Sequence, residues 1–566
     1  MKNTPIKYYS TLIVLIFSGW FFQVHSQTKM NAKLAVKLVE KPVLITDREI
    51  YCVEEKILFS AFNVSSSLMR EVEWSNILYV ELVAPDGETF ARKKIVYDQT
   101  GATGFLRLPN TLLTGNYYLR AYTRWMRDYS TYHYFYKMVK VINPFRAELL
   151  EPSGNKTVNE AELKTQLVNT NDLSLIIGKK NYQKREQVNL EIALANFGDF
   201  AEKFAVSVIP KGTEVPLVPN LSHLQEQKFA PYFIPETRGL SISGKVVNQA
   251  DSLPLPFTLV GLTIFNENQE NLNILTNEIG QFFFDLSKLK GEYEIFITAK
   301  PKEKLTPLIL VDNDFSTQAL KLPYVPMDFS EESKKVYETL MFNSQIHALY
   351  LKKEIENEMK AFTPDSSFYG TPDFVLKMSH YIALDNLKNY IQELLPQVAI
   401  RHMGKKTVLK VLGPYAELSI FEPLVLVDMV PIFDMDKILA LHPEKIDRFE
   451  IISTPYVRGD IVFGGIISLF SKNGDLAGID LPSTGRFIAY EMLENEKNPV
   501  VPYPASKRVP NVRNCLYWNP ALTLNEKATA NISFNCGDSS GDYLIIVSGV
   551  DKTGNTKVAT SEITVE

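Results

Sequence analysis

Catalysis by histidine needs a partner within hydrogen-bond reach, and a metal site needs ligands at fixed spacing. This chain of 566 residues has seven histidines, scattered, with no His-Glu-x-x-His among them. It also lacks a Gly-x-Ser-x-Gly elbow and a P-loop. The expectation is no catalytic residue, no cofactor, no metal and no small-molecule substrate. Three cysteines are an odd number. Cys515 and Cys536 flank the alternating stretches Cys-Leu-Tyr-Trp and Ile-Ser-Phe-Asn-Cys. A hairpin turning at Asn525-Glu526 places the two opposite each other and permits a cross-strand disulfide; two buried thiols are the other reading. Cys52 reads as a core thiol.

Two further stretches could make contacts. Residues 117–136 hold Tyr118, Tyr122, Trp125, Tyr129, Tyr132, Tyr134, Phe135 and Tyr136 with Arg120, Arg124 and Arg127. Aromatic rings mixed with guanidinium groups suit a protein or glycan contact, with Tyr122, Arg124, Trp125 and Arg127 as candidates. A hairpin that buries alternate rings is the plainer alternative. Asp428 stands alone inside the apolar run Pro423-Leu-Val-Leu-Val-Asp-Met-Val-Pro-Ile-Phe433, and is expected to accept hydrogen bonds from turn amides. Arg458-Gly459-Asp460 spells the integrin-binding tripeptide, but a polar turn is needed there in any case.

Such residues need elements to hold them. The length exceeds one hydrophobic core, so several domains are expected. The net charge of −5 is spread along the chain without a basic stripe, which argues against nucleic acid. Tyr (27) and Phe (33) are abundant and favour strands. Residues 1–26 read as a secretory leader: Lys2 and Lys7, then an apolar run Leu12–Phe22, then Ser26. Its loss takes the charge from −5 to −7. The reading is an exported protein of the periplasm or outer membrane.

Short alternating strands fill residues 40–145, with a turn at Pro85-Asp-Gly87 and a strand from Thr114 to Tyr122. Residues 44–59 repeat at 175–190: Tyr51 matches Tyr182, Glu55 matches Glu186, and Ile57 matches Val188. This predicts two antiparallel β-sandwiches in tandem, over 27–145 and 146–237. They resemble macroglobulin-type domains of the α2-macroglobulin and complement family, without that family's Gly-Cys-Gly-Glu-Gln thioester. Residues 238–320, with Gly-Lys-Val-Val and Gly-Gln-Phe strands, resemble a carboxypeptidase-regulatory-like sandwich. A helical connector is predicted over 321–382. Ser330 is its N-cap, and Val336, Leu340, Ile346, Leu349 and Tyr350 keep close to one face. A helix near 384–395 stops at Pro396.

Residues 383–478 resemble the plug of TonB-dependent receptors in the order of Val427-Asp428-Met429-Val430-Pro431, Ile446–Ile452 and Phe463-Gly-Gly-Ile-Ile467. Met429 departs from the family's glycine, implying a different turn or strain. The 92 residues after Gly474 are too few for a receptor barrel of about 22 strands and read as a terminal sandwich over 479–566. The fold class is mainly β and multidomain, with one small α+β unit. The domain order resembles exported Bacteroidetes proteins that carry a plug domain. That resemblance implies a non-enzymatic envelope protein presenting the plug-like unit to a protein partner in the periplasm or outer membrane, with a possible link to transport. The alternative is a surface adhesin or glycan binder. The oligomeric state stays open.

Overall fold

Alternating strands punctuated by glycine and proline turns form a mainly β, multidomain architecture in the computed structural model. It describes residues 40–65, 73–151, 157, 164–165, 167–169, 173–194, 203–214, 217–218, 232–265, 270–286, 289–302, 305–318, 321–351, 368–404, 406–458, 461–479, 485–493 and 508–566. The leader expected over 1–26 lies outside the described residues.

The first sandwich has two sheets. Strands Pro42–Thr46, Lys56–Asn63 and Ala102–Arg107 form one. The other runs in the order Ile50–Cys52, Phe135–Ile142, Gly115–Tyr122, Ile77–Val83, Thr89–Val96. Tyr51, Phe59, Leu78, Val80, Tyr117 and Val139 meet between them, all inaccessible to solvent. The turn at Pro85-Asp-Gly87 forms as expected, with Gly87 at φ +95°.

The second sandwich is where the expected boundaries fail. Strand Gln187–Leu194 pairs with Leu173–Ile177 on one side and with Thr529–Asn535 on the other. Phe204–Pro210 pairs with Gly541–Val550 on one side and Tyr517–Leu522 on the other. The segments expected as separate sandwiches, 146–237 and 479–566, are therefore one discontinuous sandwich with one core. That core joins Val188, Leu190, Phe204 and Val206 to Ile532, Phe534, Ile545 and Ile563. Each sheet draws strands from both segments, so neither segment can close the core alone.

The internal repeat is visible in local geometry. Tyr51 and Tyr182 each lie in a short strand paired in parallel with another strand of their sheet. Each is followed by a turn with a left-handed residue, Glu54 (φ +68°) and Arg185 (φ +61°). Glu55 accepts the Cys52 amide at 2.7 Å, and Glu186 accepts the Gln183 amide at 2.8 Å. Ile57 and Val188 are both fully buried.

The regulatory-like sandwich stacks Ser241–Asn248, Gln281–Asp285 and Pro307–Val311 against a sheet of Leu259–Phe265, Glu270–Leu275 and Glu292–Ala299. Its fourth strand, Arg486–Glu491, comes from beyond the plug-like unit, so the boundary at 320 is also corrected. The helix Glu331–Leu351 begins at Ser330, whose Oγ accepts the Ser333 amide. It buries Tyr337 and Leu340 against Ile50, Cys52 and Ile142, while Leu349 and Tyr350 face outward; the expected single face is split. The second helix spans Leu387–Leu394 with Asn386 as its cap. The plug-like sheet begins at Phe374–Lys377, inside the expected connector, and runs Phe374–Lys377, Ile446–Ile452, Ile466–Ser471, Leu424–Val427, Val430–Pro431.

Cys52, Cys515 and Cys536 are free, buried thiols. Tyr517–Leu522 and Thr529–Asn535 are not a hairpin: they enter opposite sheets of the second sandwich. Cys515 accordingly packs among the apolar residues between the two sandwiches, and Cys536 inside the second core. Burial pushes the Cys536 thiol up to about 11, which keeps it protonated and unreactive at neutral pH.

Candidate functional site

The aromatic and arginine residues expected at the surface are inside. Tyr122 is fully buried, Arg124 is 1% exposed and Trp125 3%. The reason is strand alternation met by a second layer. Tyr79, Tyr118, Tyr122, Tyr134 and Tyr136 point away from the first sandwich's core, and the regulatory-like sandwich covers them with Leu240, Ile242, Phe315 and Leu322. Tyr122 stacks on Tyr134 at 4.4 Å and on Tyr79 at 5.7 Å. The plainer reading of this segment holds, with a neighbouring domain in place of solvent.

Charged groups are buried in the same joint, and all find partners. Glu81 sits directly across the strands from Arg120, accepts from its Nε at 2.7 Å, and accepts from the Tyr122 hydroxyl at 2.7 Å. Arg124 donates to the Ser241 carbonyl at 2.5 Å and to Ser243 Oγ at 3.1 Å. It lies 3.6 Å from both Glu236 and Asp314. Burial holds the Glu236 carboxyl above the usual carboxylate range, with Arg124 pulling the other way. Arg127 donates to the carbonyls of Asn313 and Asp314 and lies over the Phe233 ring at 4.1 Å. Lys94 pairs with Asp314 at 2.8 Å; Glu236, Asp314 and Lys94 were missed from sequence, because each ion pair joins residues far apart in the chain and only the docking of two domains brings them together. This constellation fastens domains.

The plug-like unit is the second place where domains meet. Val427 and Val430 pair across the two-residue turn Asp428-Met429. Both turn residues are left-handed, at φ +45° and +65°, so the turn type is kept and methionine carries the strain that glycine would avoid. Two features hold it. The Met429 side chain is 1% exposed among Leu424, Ile466 and Phe470. Its carbonyl accepts from Thr263 Oγ1 at 3.1 Å and Asn271 Nδ2 at 3.4 Å, both on the regulatory-like sandwich. Asp428 accepts from the Ser471 amide (2.7 Å), Ser471 Oγ (2.5 Å) and the Leu476 amide (2.8 Å). The amides belong to the neighbouring strand end and the turn after it, not to Asp428's own turn as expected. Of the tripeptide, Arg458 ends strand Tyr456–Arg458, and Gly459 and Asp460 lie outside the described residues.

A cleft of about 70 Å³ opens where the two units meet, lined by Lys300, Lys406, Glu422, Leu424, Phe433 and Phe463 among others. Lys300 pairs with Glu422 across it. Beside it, residues 412–421 fold over strand Lys406–Val411: Lys410 Nζ donates to the carbonyls of Ser419 and Phe421. This short segment exposes Leu412 (45%), Tyr415 (48%), Ile420 (68%) and Phe421 (37%). Four large apolar side chains are thus exposed within ten residues. Among the described residues, no cluster of three or more His, Cys, Asp or Glu could hold a metal ion, and no helix is long and apolar enough to cross a membrane.

No family model matches the chain, and no curated protein matches it. Among solved structures it is similar to Salmonella α2-macroglobulin reacted with methylamine: TM-score 0.23, 9% identity, covering 93% of this chain and 39% of that one. Against the native conformation of Escherichia coli α2-macroglobulin the TM-score is 0.24, with 9% identity over 94% of this chain and 40% of the other. Against the Yersinia pseudotuberculosis adhesin InvE it is 0.13, with 10% identity, 49% of this chain and 61% of that one. The chain spans about two fifths of the macroglobulins' length. Likenesses at these TM-scores say nothing about activity.

Proposed function

We propose that this chain is a non-enzymatic, exported cell-envelope protein whose sandwiches hold the plug-like unit in a fixed pose for contact with a protein partner at the outer membrane. The observation that carries the reading is the apolar group Leu412, Tyr415, Ile420 and Phe421 beside the cleft, on a unit clamped to its neighbour. Solvent-facing apolar side chains grouped in this way mark contact surfaces. The clamp supports the same reading: a surface on a rigid mount loses little entropy on binding. The aromatic segment 117–136, which suited a protein or a glycan contact, has its candidate rings covered by the regulatory-like sandwich and supports neither.

The test is site-specific photocrosslinking from position 415 in cells, with identification of the adduct. An outer-membrane protein captured by the native sequence and lost in Ile420→Asp supports the reading. An adduct pattern unchanged by Ile420→Asp, or no protein adduct at all, overturns it.

A further inference from the structure

The first and second sandwiches meet over an apolar patch that includes Phe62, Phe105, Ile209, Trp518 and Ile546. Past its edge lies a small cavity of about 30 Å³ lined by residues of both: Thr46, Asp47, Arg48, Glu49 and Lys137 from the first, and Ser207, Glu214, Ser548 and Thr556 from the second. Volume of this order holds about two water molecules.

Glu49 is the residue that links the two bodies. Its amide donates to the Thr213 carbonyl of the second sandwich at 3.1 Å, and its carbonyl accepts the Lys140 amide of the first at 2.8 Å. Its side chain is 6% exposed as a residue and is only half satisfied. Oε1 accepts from Lys137 Nζ at 2.6 Å and from Thr46 Oγ1 at 3.0 Å. Oε2 has no partner, and neither has Thr556 Oγ1 on the other wall of the cavity. A buried carboxylate oxygen without a donor is costly, whereas a protonated one is itself a donor.

We propose that Glu49 is a proton-operated latch between the first two sandwiches. Neutral, its Oε2–H donates across the cavity to a hydroxyl of the second sandwich, Thr556 or Ser548, and the joint is tight. Ionised, Oε2 needs water in the cavity and the joint opens more readily. Lys137 already occupies Oε1, so the proton goes to Oε2, the side facing the gap.

Asp47 is tied to Arg48 and Tyr51 on Glu49's own loop. Arg48 also pairs with Glu55. Lys137 and Lys140 come from the adjacent strand, and the second sandwich contributes Glu214 with the neutral Ser207, Ser548 and Thr556. Burial pushes the Glu49 carboxyl up to about 7, against the pull of Lys137. A carboxyl raised in the closed joint relative to the open one favours closure at low pH, and that preference is lost as pH rises through the raised value.

The experiment is hydrogen exchange of the Glu49 amide in the full chain, corrected for intrinsic rate and referenced to amides inside the first sandwich. Between about pH 6 and about pH 8, protection of the native protein is expected to fall about tenfold, while Glu49→Gln, a permanent neutral donor, stays protected throughout. A native profile without that fall, or the same fall in Glu49→Gln, overturns the proposal. Thr556→Val with Ser548→Ala removes the acceptors and leaves Glu49 in place. It is expected to show the high-pH protection at both ends, and a retained tenfold fall in it overturns the latch even if Glu49→Gln fails to fold.

Discussion

Asp428 organises its surroundings through three accepted hydrogen bonds, with only 5% of the residue exposed. Asp428→Ala leaves the Ser471 and Leu476 amides without their acceptor. It is expected to cost about 2–4 kcal/mol, read from the urea midpoint. A loss below about 0.5 kcal/mol would show that those amides find other acceptors. Arg124 presents the harsher case, since it faces Glu236 and Asp314 where water is excluded. Arg124→Met removes the cation that faces Glu236, while Asp314 keeps Lys94 at 2.8 Å, and about 3–5 kcal/mol of destabilisation is expected. Pairing it with Glu236→Gln should recover part of that loss in a double-mutant cycle; additive effects would mean that the two groups do not interact. Neither residue is placed to act on a ligand. Sequence reading assigned Asp428 a structural role and misplaced Arg124. A lone acid in an apolar run announces a buried hydrogen-bond acceptor, but an arginine among tyrosines reads the same on a surface as in a joint.

Among elements, strand Leu259–Phe265 and the plug-like turn meet in a close seam. Gly261 has no side chain where Pro431 approaches, and a Cβ there would lie 2.8 Å from Pro431 Cγ. Gly261→Val should therefore push the plug-like unit off its mount at a cost of about 1–3 kcal/mol. The measurement is hydrogen exchange of residues 424–431. Faster exchange there, with the rest of strand 259–265 unchanged, is the expected outcome, and unchanged exchange at 424–431 would refute the seam. The strand Arg486–Glu491 ties the same two units by a different route, since it returns from the plug-like unit to complete the sandwich's sheet. Helix starts and most strands were legible, because caps, glycine turns and alternation are local. The pairing of Thr529–Asn535 with Gln187–Leu194 was not, because alternation says that a strand has a buried face and is silent about which sheet buries it.

For the molecule as a whole, the second sandwich is closed by strands more than 300 residues apart, with the regulatory-like and plug-like units inserted between them. Deleting residues 508–566 removes strands from both sheets of that core. The remaining strands Gln187–Leu194 and Phe204–Pro210 are expected to become accessible to protease while the first sandwich stays resistant. A protease-resistant 164–218 in the truncated chain would show that the segment folds without its distant strands. Recovery of resistance on adding the 508–566 segment in trans would confirm the pairing directly.

By itself the sequence determined the class of fold and the internal repeat, since these depend on periodicity, turn residues and short motifs that neighbours along the chain enforce. The tertiary structure alone decided which strands share a core, which aromatic face is covered and which charges face each other. Those outcomes depend on burial between segments far apart in the chain, and no local pattern encodes the partner.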